Sequence, residues 1–136
     1  MKRVYDSISP GQLLLLLAGD LIVLVVFVMI GRSDHGMSFS IWQSIVTAFP
    51  FMLAWIPIAW LTGAYRARAF AAGVGSALAR ALLASAIAIP VGLLLRTILY
   101  DKELFTSFFI VTMVFLTLFM LIWRGLFAAV ARRFGP

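Results

Sequence analysis

Polar residues in this chain fall in short clusters, and between them run four long stretches that are almost wholly apolar. The stretches are Gln12–Ile30, Ile41–Leu61, Ala77–Leu95 and Leu104–Trp123, the last with a helical extension toward Arg132. Each is close to the roughly 20 residues that a helix needs to cross a hydrocarbon core of about 30 Å. Backbone polar groups in lipid must find partners within their own segment, so the pattern predicts four transmembrane helices. The alternating ten-residue strands of a membrane barrel do not occur. Short connections between successive runs predict antiparallel neighbours, hence an all-α membrane protein built as an up-down four-helix bundle. Residues 1–136 read as one membrane domain.

Composition supports a lipid solvent. The sequence is 64% hydrophobic and 12% charged over 136 residues, more apolar surface than a globule of this size can bury. Lys2 and Arg3 precede the first run as they would in a signal peptide. That run is too long, however, and no small-residue cleavage site follows it, so it reads as a retained span.

Charge sets the orientation. Lys2, Arg3, Arg66, Arg68, Arg80, Arg124, Arg132 and Arg133 fall on one face, eight in all, against Arg32, Arg96 and Lys102 on the other. The positive-inside rule then places both termini in the cytoplasm of a cell whose inner (plasma) membrane holds the chain. The net charge of +6 is accounted for by these flanking segments and by anionic lipid headgroups at the cytoplasmic face. Nucleic acid is not an expected partner.

One residue breaks the first run. Asp20 lies near its middle, where a carboxyl group costs about 2.5–3.5 kcal/mol on insertion scales. The surrounding leucine, isoleucine, valine and phenylalanine residues outweigh that cost, but the acid still needs a partner. Arg80 and Arg124 lie toward the cytoplasmic ends of their helices and Arg96 toward the outer end; Thr112, Thr117 and Ser85 lie near the level of Asp20. Two readings follow. Asp20 is half of a structural pair, with Arg124 or Arg80 or with a threonine hydroxyl, or it is functional, as a proton or cation relay or an anchor for a polar ligand. The structural pair is the favoured reading.

The second run contains Pro50 and Pro57 among Phe49, Phe51, Trp55 and Trp60. Proline removes one helical hydrogen bond and kinks the helix. Pro50, at the depth of Asp20, could frame a small polar pocket with it, although a packing bend is the plainer explanation. In the third run Ala84, Ala88 and Gly92 form one small-residue row and Ala77, Ala81 and Ser85 another. Phenylalanines of the fourth run, or of a second copy, are expected to pack on them.

Other features carry less chemistry. His35 beside Asp34 could ligate a pigment or haem, but a lone loop histidine usually does neither. Gly73-Val74-Gly75-Ser76 lacks the lysine of a phosphate loop and reads as a flexible lead-in to the third helix. Tyr65–Phe70 reads as a headgroup-zone segment, and Trp60 and the Trp123-Arg124 pair as interfacial anchors. Without cysteine there are no disulfides or thiolate metal sites. A second buried carboxylate is missing and no histidine stands near a serine, so no catalytic residues, metal site or cofactor are expected.

Taken together, Gly19-Asp20, Ile30-Gly31-Arg32 followed by His35-Gly36, Pro50 with Trp55, Arg96, and Trp123-Arg124 resemble a family of small four-helix membrane proteins catalogued only as a domain of unknown function. The resemblance implies four spans and directs attention to Asp20, Arg32, His35, Arg96 and Arg124. It implies no activity. Three function classes remain from sequence: a non-catalytic subunit or assembly factor of a larger membrane complex, a small and oligomeric transport protein using an Asp–Arg site, and a binder of lipid, quinone or pigment in a groove near the second helix.

Overall fold

The structure is a computed structural model and describes residues 10–34, 36–65, 73–103 and 106–134. All regular structure among them is helical: α1 (Pro10–Asp34), α2 (Ile41–Leu61), α3 (Val74–Tyr100) and α4 (Thr106–Phe134). Each is long and apolar enough to cross a membrane. This is a multi-pass membrane protein.

The helices α1, α3 and α4 run past the apolar stretches, and backbone caps mark both ends of α2 and the end of α1. At the start of α2 the Ser40 hydroxyl accepts the Gln43 N–H at 3.1 Å, supplying one of the donors a first turn leaves open. At its end Gly63, with φ of 85°, closes a Schellman motif: Gly63 N–H donates to Trp60 and Ala64 N–H to Ala59. The end of α1 repeats the device at Gly36 (φ 71°), with Met37 N–H on the Arg32 carbonyl. These two glycines permit the left-handed turns on which both helices stop.

Packing is most extensive between α2 and α3 and between α3 and α4, while α1 lies against α2 and α4. The small-residue rows of α3 are buried, as expected of a face that brings helices close. At Gly92 the partner differs from the expected one. Phe51 of α2, not a phenylalanine of α4, covers Gly92: a Cβ there would come within 2.7 Å of Phe51 Cδ1 and 3.2 Å of its Cα. Phe119 of α4 instead meets Phe27 of α1 edge-on, with centroids 6.0 Å apart, and Phe115 is exposed.

Pro50 is buried inside α2, and its missing N–H frees the Val46 carbonyl. The Tyr100 hydroxyl, from the far end of α3, donates to that carbonyl at 2.5 Å. The broken helical bond is thus replaced by one between helices.

Candidate functional site

Asp20 and Arg124 form a buried ion pair, with side chains 0% and 1% exposed. Asp20 stands ten residues after the start of α1 and Arg124 ten before the end of α4. The guanidinium grips the carboxylate with two prongs, Nε on Oδ1 at 2.9 Å and Nη2 on Oδ2 at 2.5 Å. This bidentate geometry is the strongest form of such a pair. The remaining nitrogen, Nη1, donates to the Ala64 carbonyl at 2.6 Å.

Three aromatic side chains complete the cluster. Trp123 Nε1 donates to Oδ1 at 3.0 Å, and the Tyr65 hydroxyl donates to Oδ2 at 2.5 Å. Trp55 Nε1 is shared between Oδ2 and the Tyr65 oxygen, each 3.0 Å away. The carboxylate thus accepts five hydrogen bonds, filling the lone-pair positions it has. Arg124 also lies 4.8 Å from the centre of the Tyr65 ring and 5.6 Å from that of Trp55. In a low-dielectric interior these contacts to ring faces further compensate the cation.

Local structure explains how the groups converge. Trp123 reaches Asp20 because Gly19 leaves room for it; a Cβ at Gly19 would sit 2.7 Å from Trp123 Cη2 and closer still to other ring atoms. The turn at Gly63 swings Ala64 and Tyr65 inward, where both are buried. Burial first, and then the neighbouring Asp20 carboxylate, pushes the Tyr65 hydroxyl well above its ordinary pKa. It remains a donor at any physiological pH. The cluster therefore ties together α1, α2, the turn after α2, and α4.

Of the residues singled out from sequence, Asp20, Arg124 and Trp55 meet here. Arg80 does not: its Nη1 donates to the Thr62 carbonyl at 3.2 Å on the exposed rim. Arg96 lies over the Phe108 ring at 4.7 Å, and Arg32 reaches only the Ser38 carbonyl, at 3.4 Å. The Val46 carbonyl that Pro50 frees accepts from Tyr100 and takes no part in the Asp20 cluster. His35 lies outside the described residues, as do Arg66–Phe70.

Two members of the cluster were assigned elsewhere by sequence reasoning. Tyr65 was expected in the headgroup zone and Trp123 as an interfacial anchor, but both turn inward to the acid. The available signals were slight: a helix-stop glycine two positions before Tyr65, and a glycine directly before Asp20. Thr112 was a candidate partner for Asp20 and is not one. Thr112 and Ser85 are buried with hydroxyls that have no hydrogen-bond partner. Ser44, Thr47, Thr62 and Thr97, in contrast, each bond back to the carbonyl four residues earlier.

The chain belongs to DUF3054, a family described as proteins of unknown function, whose model matches residues 17–127. That range takes in every side chain of the Asp20 cluster. No curated protein and no solved structure matches the chain.

Proposed function

We propose that this protein is a non-catalytic subunit or assembly factor of a larger membrane complex, and that the Asp20–Arg124 cluster locks its spans together. The observation that carries this reading is the saturated carboxylate. A proton or cation relay must bind and release its cargo, and so needs an acceptor position that comes free. At Asp20 five fixed donors fill those positions. A pathway between copies of the chain gains no support either, because large apolar side chains such as Ile22, Ile87, Val114 and Leu118 occupy the exposed surface at mid-span.

In this reading the spans alternate in direction as an antiparallel bundle. Cross-helix pairs support it: Val46 of α2 meets Tyr100 of α3, while Thr62, just past α2, meets Arg80 near the start of α3. Both termini lie in the cytoplasm and the membrane is the inner (plasma) membrane. Arg124 is spent on Asp20 and no longer counts as an orientation signal, which leaves seven basic residues against three and the same orientation. Partners are other protein chains, with anionic lipid at the cytoplasmic rim.

Reconstitution and native purification test this together. Mild-detergent extraction is expected to bring other chains along in fixed stoichiometry, and vesicles containing the purified protein are expected to pass protons and cations no faster than empty ones. Flux that depends on the protein and vanishes in a folded Asp20→Asn variant would overturn the proposal in favour of transport.

A further inference from the structure

At the opposite end of the helices from the Tyr65 turn, the guanidinium of Arg32 is poorly partnered among the described residues. Arg32, in the last turn of α1, has no ion pair with a carboxylate among the described side chains, which do not include that of Asp34. Its Nε is buried with no hydrogen-bond partner, and Nη2 makes only the long 3.4 Å bond to the Ser38 carbonyl. The C-terminal end of α1 offers it a partial negative charge at most. The carbonyl of Arg32 itself is already taken by Met37 N–H. A guanidinium partly withdrawn from water in this way favours an anionic partner with paired oxygens, either carboxylate or phosphate.

Beside it stands an apolar rim. The turn from Gly36 into α2 exposes Met37, Phe39 and Trp42, the latter two 75% and 69% accessible. Ser40 caps α2 and Gly36 fixes the turn at the end of α1, so the rim is held at both ends. It begins where the α1 span stops, at Ser33, and runs into the start of the α2 span, at Ile41. That is the depth of lipid headgroups and first acyl carbons, where tryptophan and phenylalanine partition favourably.

From this juxtaposition we propose that Arg32, with Met37, Phe39 and Trp42, forms a binding site for one anionic phospholipid in the leaflet at the α1–α2 end. The guanidinium holds the headgroup phosphate through its outer nitrogens, and the apolar rim takes the glycerol and upper acyl chains. Arg96, at the same end, differs in lying against the Phe108 ring. It serves as the control for diffuse surface charge.

The test reads Trp42 fluorescence, isolated as the difference between the full-length protein and Trp42→Phe, in mixed vesicles. Phosphatidylglycerol or phosphatidylcholine spin-labelled near the headgroup is titrated in as quencher. The wild type is expected to be quenched at a lower mole fraction of the anionic lipid, and Arg32→Gln to lose about tenfold in that preference, as for one charge-assisted bond. Arg32→Lys, which keeps the charge and guards against misfolding, retains part of it, and Arg96→Gln retains it in full. An unchanged preference in Arg32→Gln, or equal losses in both glutamine variants, overturns the site. Displacement of the quencher by inorganic phosphate would overturn its assignment to lipid.

Discussion

Trp123 packs its indole into the space where Gly19 would carry a Cβ, and from there its N–H reaches the carboxylate of the next residue, Asp20. A side chain at position 19 and the Trp123 hydrogen bond exclude one another. Gly19→Ala should therefore destabilise the protein by about 1–3 kcal/mol, the usual cost of overpacking. The intrinsic gain in helix propensity is smaller, about 0.8–1.0 kcal/mol, and does not offset it. Thermal unfolding in detergent checks this, with Trp123→Phe as the companion variant. Once Trp123→Phe has removed the N–H, adding Gly19→Ala should cost less than it does alone.

Tyr65 gives a signature in alkali. Its hydroxyl is raised above the ordinary tyrosine value, so the folded state holds its proton after an unfolded chain has lost it. The stability it contributes is complete below about pH 10, the unfolded pKa, and declines as pH climbs from there toward the folded value. Absorbance at the phenolate band should show Tyr65 ionising only as the protein unfolds. Tyr65→Phe should remove that late phase, and should cost about 1.5–3 kcal/mol at neutral pH as one hydrogen bond to a charged group is lost.

The Tyr100 bond to Val46 exists because Pro50 has no N–H to offer. Tyr100→Phe should cost about 0.5–1.5 kcal/mol by leaving that carbonyl bare. Pro50→Ala supplies a helical donor to the same carbonyl. In that background Tyr100→Phe should cost markedly less, a non-additivity that thermal unfolding of the four proteins would resolve.

What could be read from sequence followed a physical divide. Hydropathy located all four spans, and α2 begins and ends where its apolar run does, because Ser40 and Gly63 are caps visible as residue types. Asp20 announced itself as a lone acid in hydrocarbon, with Arg124 among its candidate partners, whereas Trp55 stood out only beside Pro50. Depth was harder to judge. The apolar run ends at Trp123 and makes Arg124 look terminal, yet α4 continues to Phe134 and leaves ten residues beyond it. Aromatics near the end of an apolar run default to the interface, so Trp123 and Tyr65 gave no sign of facing inward. The partner of the small face of α3 could not be assigned either, since small-residue rows say that something comes close and not which helix it is.

The lock itself is tested most directly by a double-mutant cycle on Asp20 and Arg124, read as unfolding free energy in mild detergent. Asp20→Asn strands a buried cation and Arg124→Gln a buried anion, and each should cost about 3–5 kcal/mol. Together they leave two neutral amides that can bond one another, so the double variant should fall short of the summed losses by about 1–3 kcal/mol. Single variants that unfold like the wild type, or losses that simply add, would contradict the claim that this pair locks α1, α2 and α4 together.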